Sequence, residues 1–305
     1  MSFVEDILEE VLDEVLEIVK YMSERRLVCP IFQLIHDWQH QKSKKKHESE
    51  LKRDILDLLE KGADVHEPEL IDPVCGPIGY TPILKASEAG ASKVVQLLIE
   101  KGANVNDKLI NGKVTCLHLA VRSNRSQVVD LLVKTGANLD SKTEMTGETP
   151  LHIACQNNNP EIAEILMLNG AELNSPTAWG VTPLQLVICN PKSNSLRMLK
   201  LLIEYGANLE ALSNGGLTAL LLAVYLGQNE MAKALLDKGA NVNFVSFDGH
   251  SPLHCAATKS DLESTKMLID YGAEANARNH QGNNALEFAL QYRSLGNVKL
   301  FLFMN

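Results

Sequence analysis

The chain has 305 residues, 45% hydrophobic and 22% charged, with a formal charge of −9 and a pI near 5.5. That balance excludes general affinity for phosphate backbones, which needs clustered Lys and Arg, so no direct nucleic-acid contact is expected. No run of about 18 apolar residues occurs, which argues against a membrane-spanning helix, and aromatics are only 5%, so the core must be largely aliphatic.

Residues 1–26 predict an acidic amphipathic helix. Val4, Leu8, Val11, Val15, Ile18 and Met22 recur at heptad spacing, opposite Glu5, Asp6, Glu9, Glu10, Asp13, Glu14 and Glu17. Such a helix either caps the neighbouring helices or is offered to a partner or a second copy of the chain, so self-association is open. Its acidity argues against a secretory signal, whose first region is basic, and the cytoplasm or nucleus is the expected compartment. Residues 27–66 read as two helices, "CPIFQLIHDWQ" and "LKRDILDLLEKGADVH", split by a basic insertion from Lys42 to His47. That insertion is either a solvated run or an import or acidic-partner patch. Residues 67–78, "EPELIDPVCGPI", form a Pro-rich loop.

From residue 79 to 305 one pattern repeats. Its opening residue falls at Thr81, Thr115, Thr149, Thr182, Thr218, Ser251 and Asn284, in steps of 34, 34, 33, 36, 33 and 33. A closing Gly recurs at Gly102, Gly136, Gly170, Gly206, Gly239 and Gly272 with the same period. Thr or Ser predicts a helix N-cap. The Pro that often comes next fits the first helical position, where a missing N–H costs nothing. Gly predicts a left-handed helix end. Between them lie two short apolar helices that cannot bury their faces alone, so copies must stack. Residues 27–66 are then a degenerate first copy.

"TGETPLHIACQNNNPEIAEILMLNGAELN" and "DGHSPLHCAATKSDLESTKMLIDYGAEAN" resemble ankyrin repeats. The resemblance implies an all-α ankyrin-repeat solenoid of helix-turn-helix units joined by β-turn or hairpin loops. It implies about six full repeats and a partial terminal one. Copies depart from the pattern: Gln185 stands in the His position, and "TALLLA" and "NALEFA" replace the Thr-Pro-Leu-His signature. The terminal "NVKLFLFMN" leaves Phe301, Phe303 and Met304 expected to be partly uncovered.

No constellation for chemistry emerges. His118, His152 and His254 occupy one template position, where a repeated local hydrogen bond is expected. Cys29, Cys75, Cys116, Cys155, Cys189 and Cys255 stand singly and read as reduced, buried thiols. No phosphate loop, dinucleotide fingerprint or zinc spacing is present, so no catalytic residue, metal or cofactor is expected.

The resemblance implies instead that another protein is bound, through the turn tips before each Thr-Pro and the inner face near the end of each first helix. Transferred to this chain, those positions yield Tyr80, Arg122, Gln156, Asn157, Trp179, Tyr225, Phe247 and Lys259. Interface hot spots favour Trp, Tyr and Arg, and the expected patch centres on Trp179 and Tyr225, flanked by Arg122 and Lys259. The expected role is that of a scaffold, adaptor or inhibitor. An inhibitor of a transcription factor or other basic nuclear partner, or a ubiquitin-ligase substrate adaptor, is the alternative. The resemblance also implies asparaginyl hydroxylation at Asn106, Asn174, Asn243 and Asn276, each eight residues after a Leu.

Overall fold

A computed structural model describes residues 30–40, 48–68, 79–109, 112–259 and 261–303, and all sixteen elements among them are helices. The acidic segment 1–26, the basic insertion Lys42 to His47 and most of the Pro-rich loop lie outside the described residues. The chain divides into two compact units, Met1–Asn111 and Gly112–Asn305.

In the first unit α1 (Pro30–His40) pairs with α2 (Glu48–Glu60), and α3 (Pro82–Ala89) pairs with α4 (Ser92–Glu100). α1 also packs on α3, and α2 on α4. Ile31, Ile35, Leu51, Ile55, Ile83 and Leu84 are fully buried there.

The second unit stacks six such pairs. They are α5 (Cys116–Arg122) with α6 (Ser126–Lys134), α7 (Pro150–Asn157) with α8 (Pro160–Leu168), and α9 (Pro183–Cys189) with α10 (Ser195–Glu204). Then come α11 (Ala219–Tyr225) with α12 (Asn229–Asp237), α13 (Pro252–Thr258) with α14 (Leu262–Asp270), and α15 (Ala285–Gln291) with α16 (Leu295–Phe303). The first helices pack on one another in series, and the second helices do so more sparsely. Each pair thus buries against its neighbours the apolar surface it cannot cover itself.

The recurring residues of the repeat have local causes. At the start of α5, Thr115 is extended at φ −89° and ψ 169°, and the Thr115–His118 pair closes a capping box. His118 Nδ1 accepts from the Thr115 N–H at 3.2 Å and lies 2.8 Å from its hydroxyl. With Nδ1 accepting, Nε2 must carry the proton, and it donates to the Glu148 carbonyl of the next repeat at 3.2 Å. His152 and His254 do the same, reaching Val181 at 3.2 Å and Asn283 at 3.0 Å. Gln185 reproduces the arrangement with an amide. Its Oε1 accepts from the Thr182 N–H at 3.0 Å, and its Nε2 donates to the carbonyls of Ala211 at 2.7 Å and Leu217 at 3.0 Å.

At the other end of the unit Gly136 takes φ +90°. The Gly136 N–H then reaches the Val133 carbonyl at 3.1 Å and the Ala137 N–H the Leu132 carbonyl at 2.9 Å, which satisfies two otherwise free acceptors. Ala137 is 8% exposed and Leu132 is fully buried. At the first position glycine is favoured, because an L side chain is strained at that φ. Downstream, hairpin turns close with bonds such as that from Thr177 N–H to the Val181 carbonyl and that from Gly180 N–H to the Thr177 carbonyl, both at 2.9 Å. Successive hairpins join through bonds such as Asn214 N–H to the Trp179 carbonyl at 3.1 Å.

Candidate binding surface

The candidate side chains of the second unit fall into two rows. The first row is the hairpin tips, carrying Met145, Trp179 and Phe247 at 86%, 59% and 62% exposure. The second row is the C-terminal ends of the first helices, carrying Arg122, Gln156, Asn157, Tyr225 and Lys259. A first helix of seven or eight residues separates the rows by about 10 Å. Trp179 and Tyr225, expected at the centre of one patch, therefore stand at opposite ends of that span.

Several candidates already have partners inside the fold. Tyr80 belongs to the first unit and is half-buried. Its ring stands edge-on to Phe32 at 6.2 Å, Lys85 Nζ lies 5.4 Å above it, and its hydroxyl donates to Glu88 at 3.3 Å. Gln156 Nε2 donates to the Glu148 carboxylate. Asn157 Nδ2 donates to the carbonyls of Val121 and Arg122, both at 3.1 Å, and to Asn124 Oδ1 at 3.2 Å. Asn157 was expected at the binding surface, and its amide also staples one repeat to the one before it.

Phe247 lies against the Gly216 backbone of the preceding hairpin, at φ +71°, where a Cβ would collide with the ring. Tyr225 is 54% exposed, and Lys259 Nζ sits 4.4 Å above its ring centre. Met145 falls at one of the turn tips that the resemblance marks for partner contact. Sequence reasoning missed the pairing of Tyr225 with Lys259, although that pairing had a signal, since both residues fall at the end of a first helix in consecutive copies.

Asn174 and Asn243 also serve the fold. Asn174 Oδ1 accepts from the Asn208 N–H at 2.8 Å, and Asn243 Oδ1 from the Glu274 N–H at 2.9 Å, each one repeat further on. Asn106 and Asn276 occupy the same turn position and are exposed.

The titratable groups are set for structure. Burial lowers the pKa of His118 and of His152 to about 4, in each case against the opposing pull of the carbonyl each bonds. Burial raises the Cys255 thiol to about 11 and pushes Cys155 and Cys189 upward too, which keeps all three protonated. Cys116 and Cys155 are buried as expected, but Cys255 is half-buried and Cys189, whose thiol is partly shielded, lies in an exposed residue at the end of α9. Phe301 corrects the reading of the last helix, being 3% exposed, whereas Phe303 is 88% exposed. Among the described residues no cluster of three His, Cys, Asp or Glu could hold a metal ion, and no helix is long and apolar enough to cross a membrane.

The family model described as ankyrin repeats in three copies matches residues 49–143, 85–177 and 151–246, and one for many copies matches residues 253–302. Two solved structures are similar. The human ASB11 ankyrin repeat domain is 28% identical, with a TM-score of 0.57, over 71% of this chain and 96% of that one. The ankyrin repeat domain of Bcl-3, described as a unique member of the IkappaB family, is 28% identical, with a TM-score of 0.65, over 73% of this chain and 99% of that one. No curated protein matches.

Proposed function

The chain belongs to the ankyrin-repeat family, and from that premise we propose that it is a non-enzymatic interaction module whose surface captures another protein. Ankyrin repeats are generally protein-binding modules, so the open matters are which face binds and what it takes. The observation that carries the reading is the exposure of Trp179, Tyr225 and Phe247 at 59%, 54% and 62% in a chain only 5% aromatic. A spacer has no need of large rings in water, and such rings are the side chains that dominate interface energies. The partner meets Arg122, Gln156, Tyr225 and Lys259 at the first-helix ends, and Trp179 and Phe247 at the hairpin tips. Tyr80 serves the first unit in the same way, and Asn157 contributes by holding Arg122 in place through its backbone.

The test is partner capture by the full chain against Trp179→Ala and Tyr225→Ala, singly and together. Losing two hot-spot rings should weaken binding at least 10-fold, and the melting temperature should stay within a few degrees because neither ring is buried. Unchanged capture by the double variant would overturn the reading.

A scaffold, an adaptor and an inhibitor are all consistent with such a surface. The formal charge of −9 supports a second reading, inhibition of a basic nuclear partner, for which capture should collapse as salt rises. Residence in the cytoplasm or nucleus and self-association through residues 1–26 belong to the same proposal. So does hydroxylation of Asn106, Asn174, Asn243 and Asn276, which a mass increase of one oxygen in native protein would reveal.

A further inference from the structure

The first-helix ends of the second unit reverse the charge of the chain that carries them. The whole chain holds 29 Lys and Arg against 38 Asp and Glu. Yet the last residue of α5, α7, α9, α11, α13 and α15, with the residue after it, includes Arg122 and Lys259 and no carboxylate. The adjoining turns add Arg125, Lys192 and Arg293 and one acid, Asp261. Asp261 is turned inward as an N-cap, accepting from the backbone N–H groups of Glu263 and Ser264, both at 3.1 Å. Glu148, at the hairpin side of this face, accepts from the Thr146 hydroxyl at 2.9 Å and from the Gln156 amide. The exposed acids of this unit lie away from the first-helix ends: on the second helices, as at Glu161, Glu164, Glu204, Glu230, Asp237 and Asp270, in the hairpins and turns, as at Asp140, Glu144, Glu172, Asp248 and Glu274, and near the start of α15 at Glu287.

This row is also continuous. Asn157 reaches back to the Val121 and Arg122 carbonyls, Lys192 Nζ to the Gln156 carbonyl at 2.5 Å, and Gln228 Nε2 to the Ile188 carbonyl at 2.6 Å. Lys259 closes over Tyr225, and Asn297 Nδ2 reaches the Ala256 carbonyl at 3.2 Å. Apolar surface interrupts the charge, since Tyr225, Leu226 and Tyr292 are 54%, 43% and 53% exposed. The Tyr225 ring faces the Lys259 ammonium at 4.4 Å, a cation–π contact that holds it in place.

Building on the protein-binding reading above, we infer that this row docks an extended acidic segment of a partner protein. Its carboxylates pair with Arg122 and Lys259, and a large apolar side chain lies on Tyr225 and Leu226. From α5 to α13 is four helix-to-helix steps of about 8–10 Å, a span that an extended segment of about a dozen residues covers. The sparse cations and interleaved rings suit carboxylates and apolar side chains better than the dense charge of a phosphate backbone.

Fluorescence anisotropy with the full chain tests this, using three labelled dodecapeptides: one of Glu with a central Phe-Leu, its Gln counterpart and its Lys counterpart. The acidic probe should bind at least 10-fold tighter than either other and weaken as salt rises. Arg122→Glu with Lys259→Glu should abolish that preference while leaving the melting temperature unchanged. Tyr225→Ala should weaken the acidic probe several-fold and keep its salt dependence. No binding of the acidic probe, equal binding of all three, tighter binding of a single-stranded oligonucleotide, or indifference to the double charge reversal would each overturn the inference. A photo-crosslinker at position 225 in cells separates this from the broader reading. Linked partner segments of neutral or basic composition would sink the acidic class and leave protein binding standing. An absence of linked protein from positions 179 and 225 alike would sink both.

Discussion

His118 and His152 show how a residue type that suggests catalysis is absorbed by the fold. Each is held neutral by burial and by a donor on one ring nitrogen, and each ties its own repeat to the next. Their folded pKa of about 4 lies below the unfolded value near 6.5, so the stability they contribute is complete above pH 6.5. It is lost as pH falls from there toward 4, because only the unfolded chain takes up the proton. By pH 5 that amounts to about 2 kcal/mol per ring. Gln185 already performs the same task without titrating, so His152→Gln should retain most of the stability at pH 7 and lose less of it at pH 5. Urea midpoints of the two proteins at both pH values would check this. Arg293 is a second informative residue. It is exposed and takes φ +55°, in the left-handed region where an L side chain is strained. Arg293→Gly should stabilise the chain by about 0.5–1 kcal/mol, and an unchanged or lower midpoint would contradict that account.

Among the elements, the hairpins and helix ends carry different burdens. Gly136 at φ +90° has open space where a Cβ would go, so Gly136→Ala should cost only the conformational penalty, about 1 kcal/mol. Gly216 combines φ +71° with the Phe247 ring lying on it. Gly216→Ala should therefore cost more and also displace the ring, weakening capture of a partner that uses the tips. Equal midpoints for the two variants would show that the ring moves away freely. Thr115, Gly136 and Ala137 were legible in the sequence because their tasks are local to one turn of chain. Asn157 was not, since its partners Val121, Arg122 and Asn124 lie more than thirty residues back and meet it only when repeats stack.

At the scale of the molecule, stacking makes the stability of the second unit a sum of neighbour terms. Leu202 is fully buried in α10, near the middle of that stack. Leu202→Ala should cost about 3 kcal/mol, and hydrogen exchange should speed up most in the pairs on either side. Uniform acceleration across both compact units would argue instead for one cooperative block. The distribution of charge is a property of this scale too. A net charge of −9 points to a basic partner, whereas the first-helix ends carry Arg122 and Lys259 with no carboxylate among them.

The period, the caps, the Gly-Ala closure and the all-helical class were determined by sequence alone, because each rests on interactions within a few residues and recurs in every copy. Tertiary structure alone decided which free-looking side chains are free. It committed Asn157 and Gln156 to the fold, left Cys189 at the surface, buried Phe301 and set Lys259 over Tyr225. It also parted Trp179 from Tyr225 by the length of a helix. The physical reason is that these outcomes depend on which groups from different repeats arrive at the same place, and a repeating template is silent on that.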